Sequence, residues 1–125
     1  MRGKKARQHK IFYQFSLEET VELVHRHGGL AVAAHVDRRS FSVPSQLGFI
    51  PPGAGFQALE VSAYGARAGR AAAFAGLGFT MTTGSDAHAP ELVGEGLVVL
   101  DVEQACFREL ALAFAGSDGR GCTVA

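Results

Sequence analysis

The sequence predicts an α/β fold on a parallel sheet: apolar runs of strand length alternate with stretches of helical periodicity, and glycines punctuate the junctions. Ser16 followed by Glu19 has the form of a capping box, and Leu17, Val21 and Val24 recur at helical spacing behind it, so a helix is expected from Leu17 to His27. Gly28 and Gly29 end it. Leu30 to Ala34 is a continuous small-apolar run, as expected of a strand covered on both faces, and it stops at His35. Phe41 to Pro52 is a long apolar, proline-containing connection that reads as a cover over one end of the sheet, or alternatively as a substrate lid. Ala58 to Val61 reads as a second strand, the alanine-rich Ala66 to Leu77 as a closely packed helix, and Phe79 to Thr83 as a third strand. Leu97 to Leu100 makes a fourth. Asp101 with Gln104 is then expected to cap a last helix in which Cys106, Leu110 and Phe114 share one face.

The chain has 125 residues, 47% of them hydrophobic, which suits one domain with a real core. Its formal charge of zero hides an asymmetry: Arg2, Lys4, Lys5, Arg7 and Lys10 crowd the start, and the remainder carries 7 basic against 12 acidic side chains. The basic start lacks a following apolar segment or a small-residue cleavage site, which argues against a secretory signal, and no run reaches membrane-spanning length. Cys106 and Cys122 have neither metal-type spacing nor the number for a disulfide framework, so a reduced, cytoplasmic setting and inert thiols are expected. No repeat or low-complexity linker is visible.

In a parallel β/α arrangement, active-site groups gather in the loops beyond the C-terminal ends of the strands. His35, Asp86 and His88 all fall there. The segment Thr83-Gly84-Ser85-Asp86-Ala87-His88 leaves a strand through a glycine and presents a carboxylate and an imidazole two residues apart, which in extended chain point to the same side. Such a pair suits zinc, manganese or iron. The same residues would serve equally as a turn cap and a backbone donor, and spacing alone leaves both readings open.

The stretch Gly28-Gly29-Leu30-Ala31-Val32-Ala33-Ala34-His35 resembles the third metal motif of the polymerase-and-histidinol-phosphatase (PHP) superfamily, a glycine-started apolar strand ending in a ligand histidine. Gly84-Ser85-Asp86-Ala87-His88 resembles its fourth motif, and Ala58-Leu59-Glu60-Val61-Ser62 resembles the strand between the two. The resemblance runs from about Ser16 to Gly116. It implies a partial PHP domain over residues 16–116, between a basic tail (1–15) and a C-terminal tail (117–125). The implied architecture is parallel-sheet β/α units like the C-terminal half of a distorted seven-stranded barrel. The implied chemistry is metal-dependent hydrolysis of a phosphate ester, by a phosphatase or a phosphodiesterase or nuclease, with His35, Asp86 and His88 as ligands to divalent zinc, manganese or iron. The family's early H-x-H strand and its second motif are absent from this chain, so its full ligand set cannot be assembled here. The chain is therefore expected to be incomplete alone: a non-catalytic half, or a subunit completed by a homo-oligomer or by a partner carrying the N-terminal half.

His25-Arg26-His27 is the one H-x-H in the sequence, but two positions apart on a helix these rings diverge by about 200° and cannot share an ion. As late-helix cations they favour the C-terminus instead. Arg38, just beyond His35, is a candidate fork onto a substrate phosphate, and Asp37 is either a further ligand or the partner of Arg38. Glu60 is an acid on an apolar strand, so it must face the polar mouth or be paired, and it joins Arg38 as a candidate site residue. The basic tail is a candidate contact for nucleic acid phosphates.

Overall fold

The computed structural model describes residues 15–125. The basic tail lies almost wholly outside them. The first helix, α1 (Leu17–Arg26), starts where the capping box places it: Ser16 Oγ accepts from the Glu19 N–H at 3.1 Å, and the Glu19 carboxylate accepts from the Ser16 N–H at 2.7 Å. Gly29 then turns the chain tightly under the helix end. A Cβ there would meet Val24 Cγ1 at 2.9 Å, so glycine is what this turn admits.

Three parallel strands follow, in the order β1 (Val32–Ala33), β2 (Ala58–Ser62), β3 (Thr80–Gly84). Val32 pairs with Ala58, and Ala58 in turn pairs with Thr80. The central strand carries the core: Leu59 and Val61 are fully buried, and Ala33, Val36 and Ile50 pack with them. Only two residues of the expected Leu30 to Ala34 strand form the ladder, and the chain turns at once beyond Ala33. The Phe41 to Pro52 connection contributes Ile50 to the core and holds a short helix, α2 (Val43–Leu47). Its cap is a serine pair that works as a capping box: Ser42 Oγ accepts from the Ser45 N–H, and Ser45 Oγ accepts from the Ser42 N–H.

Two expectations are corrected. The helix over Ala66 to Leu77 is two pieces, α3 (Ala63–Arg67) and a 3-10 segment (Arg70–Leu77), because Gly69 takes a left-handed φ of 71° between them. It also begins earlier, since Ser62 at the end of β2 accepts from the Gly65 N–H and caps it. The fourth strand, β4 (Val98–Asp101), does not extend the parallel sheet. It pairs antiparallel with β5 (Gly121–Val124), as Val98 with Val124 and Asp101 with Gly121. A parallel neighbour of β3 needs a crossover of a dozen or more residues, usually helical. The link from Gly84 to Val98 holds only the single helical turn Pro90–Leu92.

Asp101 is consequently a strand residue and caps nothing. The last helix, α4 (Phe107–Ala115), has exposed Cys106 at its N-cap without a side-chain bond, so Cys106 is not on the helix's apolar face. Cys122 lies in β5, partly buried, with its thiol 3.6 Å from the Met81 carbonyl, and burial raises its pKa. The molecule is a mixed α/β fold with one three-stranded parallel and one two-stranded antiparallel sheet, and no barrel closes among the described residues.

Candidate metal and phosphate site

The C-terminal ends of β1, β2 and β3 point the same way, so the loops leaving them share one end of the sheet. His35 follows β1, Ser62 ends β2, and Asp86 and His88 follow β3. His35 and Asp86 both hold positive φ, 30° and 49°. This region is sparsely populated for residues other than glycine, with aspartate and histidine among those that enter it more readily.

Glu60 lies between them. Its Oε1 accepts from the His35 N–H at 3.1 Å, and its Oε2 sits 3.2 Å from where a Cβ on Gly84 would stand. The carboxylate therefore lies across the end of the sheet, half-buried, linking the exit of β1 to the last residue of β3. Glycine at 84 leaves room for it. From the other side, the 94–96 loop closes down so tightly that a Cβ on Gly96 would meet the Gly84 carbonyl at 2.6 Å. Arg67 holds that loop by donating to the Glu95 carbonyl and carboxylate.

The His35 ring presents a buried Nδ1 that has no hydrogen-bond partner among the described residues. Leaving a buried polar nitrogen unsatisfied costs about 1–3 kcal/mol, so an orphan of this kind calls for an explanation. Arg38 Nη1 lies 2.9 Å from Asp86 Oδ2, and this ion pair ties the loop after β1 to the loop after β3. His88 is mostly exposed. Its Nδ1 lies 2.7 Å from the Asp86 carbonyl, which can only accept, so Nδ1 donates to it.

Asp37 does not pair with Arg38, whose carboxylate partner is Asp86. Its Oδ1 accepts from the Ser62 N–H and its Oδ2 from Ser62 Oγ, both at 2.7 Å, with Arg70 Nη1 at 3.4 Å. Burial alone would raise its pKa, but the bonds from Ser62, with help from Arg70, outweigh burial and hold the carboxyl below the usual value. Ser62 thus braces Asp37 and caps α3 at once. A serine between an apolar strand and a helix is the signal that identifies it. Arg70, which lies over the Tyr64 ring at 4.9 Å, gave no such signal.

The rings of His25 and His27 go to separate partners, Gln57 Oε1 and the Leu23 carbonyl. Among the described residues, no three His, Cys, Asp or Glu side chains stand close enough together to hold an ion. The donor chemistry nevertheless fits a divalent metal in part: a buried imidazole nitrogen at His35 with no partner among the described residues, and a carboxylate at Asp86 whose present partner is an exposed arginine.

Residues 66–115 match the family described as PHP-associated. The match bears out the resemblance to the PHP superfamily in its C-terminal part. It takes in the Gly84 to His88 segment and stops short of His35, Arg38 and Glu60. No match emerges among curated proteins or solved structures.

Proposed function

We propose that this chain is the C-terminal part of a PHP-type metal-dependent phosphoesterase, with its reacting centre at the ends of the three parallel strands. The observation that carries the reading is the buried Nδ1 of His35, which has no hydrogen-bond partner among the described residues, on a residue whose backbone N–H donates to the Glu60 carboxylate at the mouth of the sheet. His35, Asp86 and His88 would hold a divalent zinc, manganese or iron ion. When bound, such an ion lowers the pKa of a water and offsets the charge of a phosphoryl group.

The remaining work falls to this chain's own residues. Glu60 fixes the His35 backbone and adds negative charge at the ion's edge. Arg38 stands where a substrate phosphate would displace it from Asp86, and its planar fork suits two phosphate oxygens. That exchange would release the Asp86 carboxylate for metal. Asp37, braced by Ser62, holds the start of the loop that carries Arg38.

A second reading is a non-catalytic half, or a subunit completed by a partner chain. It is favoured by the absence of a three-residue ligand cluster among the described residues. Metal analysis of the purified chain, run alongside hydrolysis of a generic phosphomonoester and phosphodiester, tests both. One bound ion with turnover supports the enzyme. Bound metal without turnover favours the incomplete half, and no metal at all removes the metal reading. The substrate, whether a small ester or a nucleic acid, is set by what surrounds this centre.

A further inference from the structure

Beside the proposed metal centre a cleft of about 580 Å³ opens between the loop after β1 and the α3 region, lined by Asp37, Arg38, Arg39, Ser62, Arg70 and the rings of Tyr64 and Phe74. Its charge is unlike that of the rest of the molecule. Outside the basic tail the chain has 7 basic and 12 acidic side chains, yet three of those basic residues and only one of the acidic ones, Asp37, line this cleft. Asp37 is already committed: its side chain is 3% exposed and accepts two short bonds from Ser62. Its approach to Arg70, at 3.4 Å, is long for a charge-assisted bond, and the Arg70 side chain remains 47% exposed. Arg39 is exposed, and no carboxylate among the described residues lies within ion-pair distance of it. Each guanidinium has five N–H donors, so most of the donors here are free. Tyr64, also exposed, gives Arg70 a ring to lie on and so limits its motion.

We propose that this cleft is a second anion subsite, in which Arg39 and Arg70 hold an acidic group of the substrate distinct from the phosphate at Arg38. Substrates of the centre are therefore small phosphate esters carrying a second anionic group. The identity of the reacting group rests on the phosphoesterase reading. The cleft's preference for two anionic groups does not, and it is measured by binding alone.

The test is calorimetric titration of the full chain with propanediol bisphosphate and with propyl phosphate, which share a carbon skeleton and differ in one anionic group. The expected result is about tenfold tighter binding of the bisphosphate, the size of one charge-assisted contact. Arg39→Gln and Arg70→Gln should each remove most of that advantage while leaving propyl phosphate binding as it is. Arg70→Lys should restore part of it. Among the described residues the Arg39 side chain makes no ion pair and is exposed, so its variant remains informative even where Arg70→Gln does not fold. Equal affinity for the two probes in the unaltered chain, or an advantage that survives Arg39→Gln, would overturn the subsite. A bisphosphate advantage with no hydrolysis of either probe in the presence of manganese would instead remove the phosphoesterase reading and leave the cleft standing.

Discussion

At the scale of single residues, the site depends on a few positions where one atom more would not fit. Gly96 is the sharpest. An added Cβ would meet the Gly84 carbonyl carbon and oxygen at 2.6 Å, and backbone cannot yield as a flexible side chain does. Gly96→Ala should therefore cost about 1–3 kcal/mol through overpacking and push the 94–96 loop off the end of β3. Urea unfolding measures the loss, and an unchanged midpoint would contradict the close approach. Asp86 gives the functional counterpart. Asp86→Ala removes a proposed ligand and frees Arg38, but the carboxylate is exposed enough that its removal empties no core. Bound metal should fall to background while the helical circular dichroism signal holds. Loss of both together would mean that Asp86 is structural. The positions of His35, Asp86 and His88 beyond the strand ends were legible, because each follows a run that reads as a strand. Arg70, Tyr64 and Ser62 were not, because their roles arise from which loops the sheet brings together.

At the scale of elements, local signals succeeded where the deciding interactions were local. The Ser16 and Glu19 box placed α1, since both its bonds span three residues. The fourth strand failed because an apolar run states that a strand exists but not which partner it pairs with. Pairing was decided by β5, in a segment that reads as a glycine-containing tail. What fixes β5 to α4 is a buried clamp: Arg120 donates through Nε and Nη2 to the Glu109 carboxylate at 2.8 and 3.0 Å, and Glu109 also accepts from the Glu103 N–H. The Arg120 bonds, the Glu103 backbone bond and nearby positive charge together depress the Glu109 pKa from 4.5 to about 2, against the opposing effect of burial. A carboxylate with a depressed folded pKa contributes stability above its unfolded value and loses it as pH falls through the folded one. This clamp should thus be at full strength above pH 4.5 and fade between there and about pH 2. Urea midpoints measured across that range should fall in the unaltered chain and fall less in Glu109→Gln, which starts lower. Parallel curves for the two proteins would show that the clamp is not what titrates.

At the scale of the whole molecule, one edge of the parallel sheet lacks a strand partner among the described residues. The parallel sheet ends at β1, which pairs only with β2, so the backbone groups on its outer side have no ladder partner among the described residues. Beside that edge runs an apolar groove of about 380 Å³ between α1 and the loop after β1, lined by Leu17, Val21, Val24, Phe41 and Phe56 among others. Phe41 is 84% exposed and Leu47, on the adjoining α2, 47%. Burying a large apolar side chain is worth about 1.5–3 kcal/mol, so two such residues next to an unpaired strand edge favour association over solvation. The chain should accordingly self-associate, or bind a partner that completes the sheet, with the contact along β1. Sedimentation across a wide concentration range should show mass rising with concentration. The double variant Phe41→Asp and Leu47→Asp should suppress that rise without unfolding the chain, because both side chains face water and aspartate accepts the positive φ of 58° that Phe41 holds. A folded chain that stays strictly monomeric at every concentration would show that the edge is protected, and would leave the three strands as the complete sheet.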